Sequence, residues 1–118
     1  MVKVVFYKCD GNFYGFQEFG HAGFDEAGRD IVCAAMSAMT MLIVNTIETV
    51  WGTDIDFTMN EETADVTLMV KEALPKYAKD EKTQYAIQGL FYSYYLQLND
   101  MLEDYCDYLD VDCEIRDI

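Results

Sequence analysis

The single histidine of this chain, His21, stands between glycines in Gly20-His21-Ala22-Gly23, and Cys33 follows twelve residues later in the apolar run Ile31-Val32-Cys33-Ala34-Ala35. A cysteine and a histidine are the minimum equipment for nucleophilic attack by sulfur, because the thiolate is the reactive species and imidazole takes its proton. The same histidine would return a proton to the leaving amine. Asp30 is read as the N-cap of a helix beginning at Ile31, which puts Cys33 in the first turn, where backbone N–H groups lack helical partners. Those donors and the helix dipole would lower the thiol pKa and hold an oxyanion. Asp30 has a second reading, as the group that orients His21, but capping is preferred. Ser37, four residues after Cys33 and on the same helix face, is a candidate to orient substrate or a helix carbonyl. Gly20 and Gly23 would let the histidine loop approach closely.

The same residues also fit a structural account. Cysteine is among the most buried residue types, and Cys33 sits beside Val32, Ala34 and Ala35 as a core residue would. A solitary loop histidine is commonly just a surface residue. What favours the pair is that no other histidine exists to serve as base. With His21 assigned to Cys33, the remaining Cys9, Cys106 and Cys113 are expected to be structural free thiols. There is no CxxC and no histidine cluster, so neither a metal nor a cofactor is expected.

Composition narrows the class. A chain of 118 residues, 52% hydrophobic with one proline, suits one globular domain over residues 1–118. Its 22 acidic and 8 basic residues give a formal net charge of −14. That field repels phosphates and attracts basic partners, which argues against direct nucleic-acid binding, although acidity also serves solubility. The N-terminus lacks a signal-peptide layout, and the apolar run Ile31 to Val44 reads as too short to cross a bilayer. No membrane contact and a cytoplasmic location are therefore expected, with disulfides disfavoured in that reducing compartment.

The elements that must position these residues read as follows. Val2 to Lys8 and Asn12 to Gly20 flank Asp10-Gly11 as a β-hairpin. Ala22 to Arg29 reads as a loop, and Ile31 to about Val50 as a helix apolar on nearly every side, hence covered on more than one. Ile55, Phe57 and Met59 mark a third strand, and Ala64, Val66, Leu68 and Val70 a fourth. Lys71 to Lys82 is a loop. Thr83 to about Leu109 is a long amphipathic helix, whose Tyr85, Phe91, Tyr92, Tyr94 and Tyr95 serve a core or a dimer contact. Asp100, Glu103, Asp104 and Asp107 crowd its C-terminal end, against the dipole, as a docking place for a basic partner would. Val111, Cys113 and Ile115 form a last strand. The expected fold is a single α+β domain with a mainly antiparallel sheet and two helices, in the order ββαββαβ.

Gly20-His21-Ala22-Gly23 and Asp30-Ile31-Val32-Cys33-Ala34-Ala35-Met36-Ser37-Ala38 resemble the two active-site segments of the ribosomal-processing cysteine proteases, the Prp family. The likeness is detailed over residues 20–38 and elsewhere rests on length, element order and hydrophobic pattern. Met36 departs from it where valine is more typical, as do the tyrosine-rich second helix and the acidic tail. The resemblance implies a homodimeric cysteine protease, with Cys33 as nucleophile and His21 as base. Its implied substrate is a basic precursor, the large-subunit ribosomal protein numbered twenty-seven. A short N-terminal extension would be cut off after an aromatic residue during ribosome maturation, with Ala22 to Arg29 as a lid. Two other classes stay open: a non-catalytic acidic module that binds a basic ribosomal or assembly protein, and a small dimeric regulatory domain that binds a metabolite. Neither needs the paired histidine and cysteine segments.

Overall fold

In the computed structural model, residues 1–20 and 27–118 are described. Strands β1 (Val2–Cys9) and β2 (Asn12–Phe19) form the expected hairpin. Asp10 and Gly11 both take positive φ, 50° and 80°, as a two-residue turn matched to strand twist requires. The pairing register slips between Tyr7 and Lys8, so that Tyr14 is an extra residue on β2. A bulge of this kind leaves backbone groups without a ladder partner. Gln88 meets that need, accepting from the Phe13 N–H at 2.9 Å and donating to the Phe13 carbonyl at 2.6 Å.

Strands β3 (Asp56–Met59), β4 (Val66–Met69) and β5 (Leu109–Ile115) complete a five-stranded sheet in the order β3-β4-β2-β1-β5. Only the β1–β5 pair is parallel. Helices α1 (Ala27–Val44) and α2 (Glu81–Tyr105) pack on the face that carries Val4, Phe6, Phe16 and Leu68. This is the expected α+β architecture and order.

Helix α1 continues as a π-helical stretch, Asn45–Val50. It buries Val32, Met36, Thr40, Ile43 and Ile47, which recur every three or four residues along one stripe. Its outer side, expected to be covered, is instead open: Ile31 is 52% and Leu42 63% exposed. The 21 residues Asp30–Val50 are long and apolar enough to cross a membrane by length and composition, so the shortness of the apolar run does not hold as an argument. One stripe of the helix, Val32, Met36, Ile43 and Ile47, packs into the core of the domain.

The start of α1 corrects a second expectation. The helix begins at Ala27, so Ala27 to Arg29 are not loop, and Asp30 is an exposed residue of the first turn rather than its cap. Cys33 therefore lies in the second turn, where an α-helical N–H bonds back to the carbonyl four residues earlier. Gly28 suggested a loop, but a glycine near a helix start costs less than about 1 kcal/mol and is outweighed by packing of the apolar stripe.

Smaller shifts have local causes. Helix α2 starts at Glu81 because Asp80 caps it, accepting from the Lys82 N–H at 3.3 Å and the Thr83 hydroxyl at 2.8 Å. It ends at Tyr105 rather than Leu109, because Leu109 pairs with Val2 and is buried in β5. Ile55 precedes β3, and Ala64, at φ 60°, belongs to the turn before β4. The loop after β4 contains one 3-10 turn, Lys71–Ala73.

Two expectations about stability follow. A Cβ at Gly15 would collide with the Leu68 carbonyl oxygen and the Met69 sulfur, whereas one at Gly89 would meet nothing within 4 Å. Gly15→Ala should lose about 1–3 kcal/mol in urea unfolding through overpacking, and Gly89→Ala should gain up to about 1 kcal/mol through helix propensity. The Asp80 carboxyl is held below its usual range by the Thr83 hydroxyl and then the Lys82 N–H. A depressed folded-state pKa means that the cap stabilises above the ordinary aspartate pKa and is lost as pH falls through the folded value. Asp80→Ala should thus lower the melting temperature at pH 7, with the difference shrinking towards pH 3.

Candidate active site

The face of α1 that carries Cys33, Ala34, Ser37, Thr40 and Met41 forms one wall of an open groove. Phe57 and Met59 of β3, with Ala64 and Val66 from the turn and β4, form the other wall. Glu18 of β2 lies between the two walls. The cavity measures about 230 Å³. The β3 residues explain themselves here: half-buried Phe57 packs against the core and also lines the groove, whereas exposed Met59 borders the groove.

Cys33 and Ser37 are brought together as their spacing implies, on one helix stripe and in one groove, the first half-buried and the second exposed. Asp30, which sequence offered as cap or as orienter of His21, is neither a cap nor part of the groove lining. Gly20 has a structural reason for being glycine. Its φ is +83°, and a Cβ there would strike the Met1 carbonyl. His21 and Gly23, together with the lid expectation for residues 22–26, lie outside the described residues.

Two groups at this site escaped the sequence reading. Glu18 is only 1% exposed. Its carboxylate accepts from the Thr40 hydroxyl at 2.7 Å and from the Tyr94 hydroxyl at 2.9 Å. The signal was present in β2, where Glu18 falls on the same face as the buried Phe16, so an acid stands where the alternation calls for an apolar residue. Burial, and then the charge of Glu18, raises the Tyr94 hydroxyl pKa far beyond the usual tyrosine range. Tyr94 is thus a fixed hydrogen-bond donor.

The other thiols sit away from the groove. Cys9 is buried, and its sulfur lies 3.8 Å from an Asp117 oxygen. Cys9, Asp10 and Asp117 hold their ligand-type atoms within 4.8 Å of one another. Burial raises the Cys113 thiol pKa, Lys8 opposes that and Asp112 adds to it. Cys106 is exposed at the C-terminal end of α2.

The geometry is that of a half-buried thiol at the edge of an apolar groove, on a helix packed against an α+β sheet. The family described as Cysteine protease Prp matches residues 1–110. The ribosomal processing cysteine protease Prp of Bacillus subtilis (strain 168) is 30% identical over 106 residues, 90% of each chain. SMU.848 from Streptococcus mutans superposes with a TM-score of 0.79 at 25% identity, over 98% of this chain and 96% of its own. The essential ribosomal processing protease Prp from S. aureus, solved with a substrate peptide, has the same fold: TM-score 0.79, 20% identity, 97% of this chain and 100% of that one. The chain belongs to the cysteine protease Prp family and is a cysteine protease.

Alkylation should separate the structural thiols. With iodoacetamide at pH 8, peptide mass spectrometry should find Cys106 modified faster than Cys113, whose thiolate fraction is reduced, and Cys9 modified only on unfolding.

Proposed function

We propose that residues 1–118 form one cysteine endopeptidase domain in which Cys33 is the nucleophile and His21 the general base. His21 takes the thiol proton as the Cys33 sulfur adds to the scissile carbonyl carbon. The tetrahedral adduct collapses with loss of the C–N bond, and His21 gives its proton to the departing amine. Water, deprotonated by His21, then attacks the thioester, releasing the carboxylate product and the free thiol. Ser37, exposed one turn from Cys33 on the same stripe, is in reach of a bound substrate backbone. Because Cys33 lies in the second turn of α1, the helix N-terminus is not its oxyanion hole.

The substrate in this reading is the large-subunit ribosomal protein numbered twenty-seven, cut after an aromatic residue to remove a short N-terminal extension during ribosome maturation in the cytoplasm. The observation that carries the reading is a half-buried Cys33 lining a groove walled by Phe57, Met59, Met41 and Val66, apolar side chains suited to an aromatic residue. A net charge of −14 suits a basic precursor and disfavours direct contact with nucleic acid. A homodimer is part of the proposal. It is supported by the uncovered apolar side of α1, with Ile31 and Leu42, and by exposed Tyr85, Tyr92 and Leu96 along one side of α2. No cofactor or metal enters the reaction.

The test is mass spectrometry of a peptide spanning the extension junction, incubated with wild type, Cys33→Ala and His21→Ala. Wild type should make one cut. Cys33→Ala should make none, and His21→Ala should be slower by about 10²–10⁴-fold. A peptide that binds all three proteins and is cut by none would favour the acidic binding module instead.

A further inference from the structure

Helix α1 presents a problem of orientation. It is apolar on nearly every side, so burial of Val32, Met36 and Ile43 competes with burial of Ile31, Ala38 and Leu42, which are exposed. A hydrophobic pattern that runs around a helix specifies its rotation only weakly. Successive residues are 100° apart, so a rotation of one residue would aim Ala34 where Cys33 now points. What distinguishes the inward side is Thr40. It is buried, it shares the stripe of Cys33 and Ser37, and its hydroxyl lies 2.7 Å from Glu18 and 3.3 Å from the Tyr94 hydroxyl.

We propose that Glu18 is a positioning residue for Cys33: its buried carboxylate, tied to Thr40 and Tyr94, sets the rotation of α1 that aims the thiol into the groove. This rests on the protease reading above. The carboxylate cannot leave its site without losing both hydroxyl donors, and directional bonds to a charged acceptor weaken steeply when misaligned. Apolar side chains tolerate such a slip. The cluster joins three elements, β2 through Glu18, α1 through Thr40 and α2 through Tyr94, so it references the helix to the sheet and to its neighbour together. Burying an acid is a poor way to add stability, but polar groups in an apolar interface are a known way to fix register. Reacting groups must be held to about 0.5 Å, and a helix-phase error exceeds that.

The decisive variant is Glu18→Leu/Thr40→Val/Tyr94→Phe, an apolar replacement of the whole cluster, measured beside Thr40→Val and Glu18→Gln. The triple variant should melt no lower than wild type yet cleave the junction peptide with kcat at least tenfold lower and KM within threefold. Glu18→Gln, which still accepts from Thr40, should stay within about threefold of wild type in kcat. A folded triple variant with wild-type kcat would overturn the proposal, and so would wild-type kcat in Thr40→Val should the triple variant not fold. A second readout needs no catalysis. With methyl-labelled methionine, the NMR signals of Met36 and Met41 should split or broaden in the triple variant, or in Thr40→Val if only that folds, while Met101 on α2 stays sharp. If wild type cuts nothing, the protease reading fails and the methyl spectra alone decide; single sharp Met36 and Met41 signals in the variant would overturn the helix-phase role.

Discussion

Phe6 of β1, between β2 and β5 in the sheet, is the contact from which the rest of the architecture is built. Its ring lies 5.5 Å from those of Phe13 and Phe16 on the neighbouring strand, and 5.7 and 5.1 Å from Tyr94 and Tyr95 on α2. Tilted and edge-on arrangements at these distances are the favourable ones for aromatic rings, and each ring also removes a large apolar area from water. The cluster docks α2 across the β1–β2 hairpin. Helix α1 packs beside α2 and is tied through Thr40 to Glu18 of β2 and to Tyr94. The groove lies between α1 and the β3–β4 hairpin, with Glu18 of β2 also lining it.

The hydrogen bonds follow from the same docking. The backbone of Phe13, beside the bulge at Tyr14, is met by the Gln88 side chain of α2. Tyr94, on the same helix, has its ring against Phe6 and Phe16 and its hydroxyl on Glu18. One helix thereby seals the aromatic layer and supplies a donor to the acid that lines the Cys33 groove. A buried carboxylate is tolerable there because hydroxyl donors meet it.

This member of the Prp family is an acidic chain that builds its fold from two helices and a five-stranded sheet. The groove combines a half-buried thiol, apolar walls and one buried acid. Apolar walls enclose a side chain by shape and area. The acid contributes nothing to that enclosure. Its value lies in geometry rather than in stability, since an apolar residue would fill the same space at lower desolvation cost.

Local spacing was sufficient for whatever depends on neighbours in the chain. Asp10-Gly11 dictates a tight hairpin by its backbone preferences, and residues 33 and 37 share a helix face because a turn holds 3.6 residues. Alternation in β3 marks Phe57 and Met59 as one face, and the paired histidine and cysteine segments carry the family resemblance. Other features had no local signature. Helix α1 begins a turn earlier than its caps suggested, because packing of its stripe outweighs a glycine. The position of β5 parallel to β1 depends on the chain returning from α2 across a hundred residues, which also brings Asp117 to Cys9. Glu18 reads in sequence as an ordinary strand acid. Its role emerges only when residues 18, 40 and 94 meet, and no spacing within β2 encodes which helices will cover it. The faces of elements are set by periodicity along the chain, whereas the identity of the groups that face each other across the core is set by docking.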